Sequence, residues 1–144
     1  MLKIQSCELC DGDGGEVLYR AEKFRVVLID DAQYPGFCRV IWNAHVKEMT
    51  DLCINDRSIF MQAVCKVESA IRTVMQPEKI NLACFGNMTP HLHWHVIPRF
   101  LDDVHFPNPV WGAITQAEPS ALAQRHAQLP ALKTAISKAM TTSC

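Results

Sequence analysis

A chain of 144 residues with a formal net charge of −1 is long enough for one domain with a sizeable core, and it offers no general attraction for nucleic acid or an anionic membrane. Its apolar runs are too short to span a bilayer, and Met1-Leu2-Lys3-Ile4-Gln5 lacks the apolar stretch of a secretory signal. Seven cysteines, an odd number with no export signal, read as reduced thiols or metal ligands and point to the cytoplasm.

Cys7-Glu8-Leu9-Cys10 comes first, followed by the turn-rich Asp11-Gly12-Asp13-Gly14-Gly15. A lone C-x-x-C is half a zinc site, a redox pair or coincidence. The redox reading wants a preceding strand and a helix opening at the motif, and the glycine-rich loop argues against it. The same loop is too short for calcium and lacks the closing Glu. A zinc half-site needs two more ligands, for which His45 and His91 are candidates.

Residues 16–20 read as a short strand, 21–23 as a turn and 24–29 as a second, nearly all-apolar strand, together a hairpin. Residues 30–36 break the pattern, and one of Asp30 and Asp31 is a solvated turn residue. Residues 37–42 form a third strand, left through Asn43-Ala44-His45. Asn55 or Asp56 can cap a long helix, whose apolar stripe is Phe60, Val64, Val67, Ile71 and Val74. Pro77 ends it, and residues 79–85 form a fourth strand.

After the turn at 86–90 comes His91-Leu92-His93-Trp94-His95-Val96-Ile97-Pro98-Arg99. In a strand, alternate side chains point to opposite faces, so His91, His93 and His95 share one face while Leu92, Trp94 and Val96 face a core. A strict row of three imidazoles has few uses beyond ordinary satisfied histidines: a three-histidine metal site or nucleophilic catalysis. Pro98 cannot donate to a central ladder, so the strand should end there or lie at an edge. It should pair antiparallel with the fourth strand. Residues 102–112 read as an ordered loop over one side of the sheet, with Trp111 either covering a bound group or second subunit or sitting in the core. A helical region follows at 121–140, interrupted at Pro130.

The stretch from His91 to Arg99, with Gly86-Asn87 ahead of it, resembles the signature of the histidine triad (HIT) family of nucleotide hydrolases and transferases, in its diadenosine tetraphosphate hydrolase-like branch. Tyr34-Pro35-Gly36 through His45 to Asp51-Leu52 is similar to the family's second landmark, although Asn43-Ala44 replaces its usual Pro-Lys. The likeness runs from Cys7 to Arg99.

It implies a single α+β domain over residues 1–144, with a core at 7–100 and a C-terminal loop and helix at 101–144. The sheet would be a meandering antiparallel one of about five strands, carrying one long helix and a C-terminal helical region. It implies cleavage of a phosphoanhydride or phosphoramidate bond at the α-phosphorus of a nucleotide, through a nucleotidyl-histidine, with release of nucleoside monophosphate. His93 then matches the nucleophile, His95 the third triad histidine and His91 the first. Asn81, Gly86, Asn87, Thr89 and Asp30 match nucleotide-binding positions. Met88 stands where the family usually has Ser or Thr, which puts leaving-group assistance in doubt. Cys7, Cys10, His45 and His91 match a closed structural zinc site, with no metal required for the chemistry. The implied partners are the nucleotide and a second copy of the chain, with no nucleic acid and no membrane. Two rivals remain: a slow or inactive nucleotide-binding regulatory module, and an enzyme whose metal sits on the three histidines. A cupin-like metal site would want a Glu soon after, and residues 96–101 hold none.

Overall fold

The computed structural model describes residues 1–142; residues 143 and 144 of the expected domain lie outside the described residues. A one-turn helix α1 (Glu8–Asp11) precedes strands β1 (Glu16–Arg20), β2 (Phe24–Leu28) and β3 (Cys38–Trp42). The long helix α2 (Ile54–Met75), strands β4 (Lys79–Ala83) and β5 (His93–Arg99) and helices α3 (Leu122–Ala127) and α4 (Leu129–Thr141) follow. The five strands form one antiparallel sheet in the order β1-β2-β3-β5-β4. After β3 the chain crosses through α2, lays down β4 at the outer edge and folds back, so that β5 fills the gap. The expected α+β architecture is the observed one.

One face of the sheet carries α2. Phe60, Val64, Val67 and Ile71 are fully buried with Val26, Val40 and Val96, and α4 adds Leu132 and Ile136. Each such side chain contributes about 1.5–3 kcal/mol through apolar surface removed from water. Leu92 and Val96 point into this core and Trp94 packs against it, as alternation requires. That leaves the opposite face of β5 to the histidines.

Several boundaries differ from the sequence reading. Helix α2 begins one residue before Asn55, and its N-cap Cys53 makes no side-chain capping bond. It closes at Gln76 in the left-handed region, one residue ahead of Pro77. The C-terminal break falls at Gln128 rather than Pro130, which sits in the first turn of α4. No intrahelical donor is needed there, so the ring is tolerated. Strand β5 runs through Pro98 and is internal. The Leu92 carbonyl accepts from Trp42 N–H, so even-numbered residues of this stretch address β3. Pairing with β3 stops at Cys38↔Val96, and Pro98 falls beyond it, where no ladder bond is required.

The N-terminal segment is clamped by one residue. Arg25, buried on β2, donates to the carbonyls of Leu9 (2.7 Å), Gly12 (3.1 Å) and Asp13 (2.9 Å) and to Asn43 Oδ1 (2.9 Å). Asn43 also donates to the Ala21 and Glu22 carbonyls.

Candidate active site and metal centre

Strand β5 pairs with β3 so that His93 faces Ile41 and His95 faces Arg39. The two imidazoles are buried, with ring centroids 4.9 Å apart and planes at 80°. They line a cavity of about 400 Å³, together with Arg39 from β3, Glu8 and Leu9 from α1, the 85–89 loop and Trp111. His93 Nδ1 donates to the His91 carbonyl at 2.6 Å. That bond fixes ring and tautomer, and leaves Nε2 as the unprotonated nitrogen with no hydrogen bond among the described residues. Burial lowers the His93 pKa, and the Arg39 charge adds to the effect. Burial, then the His93 and Arg39 charges, push His95 down to about 3. Both rings are therefore neutral at pH 7, the form in which an imidazole nitrogen can attack or accept a proton.

His91 does not line this cavity. It precedes the ladder of β5, and its ring meets the N-terminal motif instead. His91 Nδ1 lies 3.4 Å from Cys7 Sγ and 3.5 Å from Cys10 Sγ, and Cys10 Sγ lies 3.4 Å from His45 Nδ1. All four ligand atoms fall within 4.8 Å of one another. A tetrahedral zinc with Zn–S of about 2.3 Å and Zn–N of about 2.0–2.1 Å has S···N edges of about 3.6 Å. The cluster matches that scale. The outer nitrogen of His91 is also committed, since Nε2 donates to the Trp42 carbonyl at 2.6 Å. This holds the Nδ1 lone pair toward the thiols, the second-shell device that metal-binding histidines use. The residues fit a structural zinc. Cys7 caps α1, so the motif opens a helical turn where the sequence suggested only a loop.

The other expected positions separate. Gly86, Asn87 and Thr89 line the cavity. Gly86 has φ 120°, a conformation that suits glycine. Thr89 Oγ1 donates to Glu8 Oε1 at 2.6 Å, and Met88 is 97% exposed. Asn81 lies elsewhere: its Oδ1 accepts from Arg99 Nη1 at 2.7 Å, beside a separate hollow lined by Lys79 and Phe106. Asp30 is exposed and does not line the cavity. Asp31 Oδ1 closes its own turn, accepting from the N–H groups of Gln33 and Tyr34. Trp111 is half-exposed and meets His95 and Phe85 edge-on, at 5.2 and 4.8 Å between centroids, so it belongs to the cavity wall and not to the core.

Glu8, Phe85 and Arg39 were not legible as site residues. Arg39 had one signal, being the lone charge in Phe37-Cys38-Arg39-Val40-Ile41-Trp42. Its place opposite His95 depends on the pairing of β3 with β5, which no local pattern encodes.

The model of the HIT domain family matches residues 14–102, and the chain belongs to that family. The matched span begins after Cys7 and Cys10. A histidine triad protein of Bradyrhizobium japonicum is 25% identical over 94% of this chain and 98% of its own, with a TM-score of 0.73. One from Sinorhizobium meliloti is 22% identical over 96% of each chain, with a TM-score of 0.71. A Zn-bound histidine triad family protein of Mycobacterium smegmatis shares the fold at 20% identity, with a TM-score of 0.60 over 95% of each chain. Comparison of the sequence with curated proteins gives no significant match. No helix among the described residues is long and apolar enough to cross a membrane.

Proposed function

We propose that this protein is a nucleotide hydrolase that breaks a phosphoanhydride or phosphoramidate bond at the α-phosphorus, with a dinucleoside polyphosphate such as diadenosine tetraphosphate or a nucleoside phosphoramidate as substrate. The observation that carries the reading is the 2.6 Å bond from His93 Nδ1 to the His91 carbonyl, which leaves Nε2 free beside a cavity large enough for a nucleotide's phosphoryl end. Nε2 attacks phosphorus, a P–N bond forms, and the bond to the leaving group breaks with its electron pair. Water then displaces the imidazole, releasing nucleoside monophosphate and restoring neutral His93. One hard displacement becomes two easier ones. His95 lies against the reacting centre, and the backbone of Gly86-Asn87 lines the position where phosphoryl oxygens would sit.

Cys7, Cys10, His45 and His91 would hold a structural zinc. Four protein ligands close the coordination shell, so the ion supplies rigidity and no reaction step. It would anchor the His91 end of the strand, and through the His91 carbonyl set the angle of His93. A homodimer joined along the outer strand β4 suits an edge followed by the exposed side chains Leu82 and Phe85. A cytoplasmic location suits six free cysteines among the described residues.

The test is intact-protein mass spectrometry after rapid quench with diadenosine tetraphosphate and with an adenosine phosphoramidate, on wild type and His93→Ala. A nucleotidyl adduct on wild type alone is the expected result. No adduct and no released monophosphate from either protein would sink the hydrolase. One observation favours the regulatory-module reading: Met88 puts no hydroxyl beside Asn87, and the Thr89 hydroxyl is held by Glu8. Tight nucleoside monophosphate binding with negligible turnover would select it. A metal on the three histidines loses ground, since His93 and His95 join no metal-sized cluster among the described residues.

A further inference from the structure

Arg39 is the one lysine or arginine lining the cavity among the described residues, and the chemistry above leaves it unused. It stands on β3 opposite His95, while its neighbours Cys38 and Val40 are fully buried in the core on the other face. Alternation therefore sends its side chain to the histidine side. A guanidinium carries five donors in a rigid fork. Arg39 makes one hydrogen bond, from Nη1 to the Gly14 carbonyl at 3.3 Å. Its Nε is shielded from solvent and has no partner, and the side chain forms no ion pair among the described residues.

The two buried arginines, Arg25 and Arg99, show what a structural strut looks like here. Arg25 makes four hydrogen bonds, to three carbonyls and an amide. Arg99 makes four, two of them to the buried Asp103. Their forks are filled by the protein. The Arg39 fork is largely empty, and its Nε is shielded from water without a partner, a costly state for a charged group unless something else fills it. The carboxylate facing the same cavity, Glu8, is engaged by Thr89. What is missing is an anionic acceptor that arrives from outside and presents two oxygens. A chain with net charge −1 cannot draw such an anion by its overall field, so the attraction has to be local.

We propose that Arg39 is a substrate-binding residue whose guanidinium takes non-bridging phosphoryl oxygens, so that the cavity selects nucleotides over nucleosides. The assignment rests on the nucleotide reading of the site and adds a residue to it. Arginine suits the task because its fork meets two phosphoryl oxygens at once, which a lysine cannot do. Arg39 also stands beside both histidines, where it would hold the phosphoryl group against His93 Nε2.

The experiment is calorimetric titration of wild type, Arg39→Met and Arg39→Lys with three probes: adenosine monophosphate, adenosine and inorganic pyrophosphate. The expected result is a loss of roughly 10- to 100-fold in monophosphate affinity for Arg39→Met, the range for a charge-assisted hydrogen bond, with adenosine affinity unchanged. Arg39→Lys should keep part of the affinity. If monophosphate and adenosine weaken together, Arg39 reads the base or shapes the cavity, and the proposal falls. If neither changes, Arg39 is a strut on Gly14, and the proposal falls too. Should Arg39→Met fail to fold, Arg39→Lys decides by the same contrast between the two ligands. Wild type that binds pyrophosphate through Arg39 but neither adenosine compound would overturn the nucleotide reading while leaving the anion site standing.

Discussion

The two ends of one histidine row behave in opposite ways. At the His91 end every polar atom is spoken for. Nδ1 faces two thiols, Nε2 donates to Trp42, and the carbonyl receives His93. At the His95 end the buried Nδ1 has no partner, and neither does Arg39 Nε across the pairing. A buried polar group left unpaired costs roughly 1–3 kcal/mol, so a fold tolerates it where a ligand completes the set. The same residue type, four positions apart, is thus framework at one end and open to a ligand at the other. The difference is set by which atoms the fold has already satisfied.

The sharpest way to break this contrast is to disable each end in turn. His93→Ala should lower monophosphate release by about 10³-fold or more. Its melting temperature and metal content should stay near wild type. Cys10→Ser, or prolonged chelation, should do the reverse first: metal content by elemental analysis falls toward zero and stability drops by about 3–5 kcal/mol, because the ordering supplied by the closed site is lost. If Cys10→Ser left stability untouched, the framework reading of the His91 end would be wrong.

A second, smaller effect concerns acid. The folded pKa of His95, about 3, lies below the unfolded value of ~6.5. Between these values the unfolded chain binds a proton that the folded chain does not. Stability therefore rises with pH from about 3 to about 6.5, and this contribution is level above that window. Thermal melts at pH 7 and pH 5 should show a smaller acid-induced loss for His95→Gln than for wild type. Equal losses in the two proteins would show that His95 is protonated in the folded state.

The smallest expected change lies at the rim. Met88→Ser restores a hydroxyl beside Asn87 on a side chain that is 97% exposed, so stability should move by no more than about 0.5 kcal/mol. Turnover of the phosphoramidate should rise by about 10-fold in a steady-state assay if a positioned proton donor is what the wild type lacks. No change in rate would place the limiting step elsewhere.

Much of this was legible in the chain itself. The alternation of Leu92, Trp94 and Val96 against the histidines needs only the period of a strand, and the stripe from Phe60 to Ile71 needs only the period of a helix. The four zinc-type ligands could be gathered by type and by likeness to a family. Arg39 and Glu8 could not, because they reach the cavity from two distant segments whose meeting depends on tertiary pairing. Asp30 and Asn81 illustrate the converse. Each matched a position in a pattern, yet Asn81 is held by Arg99 and Asp30 is exposed, away from the cavity. Pro98 reads from sequence as a strand end or an edge-strand residue because local rules do not reveal that β3 stops two residues short of it.

The sheet order has a consequence for how this protein comes into being. Strand β5 is the last strand in the chain, yet it lies between β3 and β4, which the whole of α2 separates along the chain. Until it docks, the sheet is split, and His93 and His95 do not stand opposite Ile41 and Arg39. Such long-range closure is slow compared with hairpin formation. A nascent chain that has emerged only through β4 can assemble the β1-β2-β3 meander and shelter α2 against it, yet it holds none of His91, His93 and His95. The cavity wall is therefore complete only once β5 lies against β3, and a chain in which it has not docked offers no histidine-lined cavity.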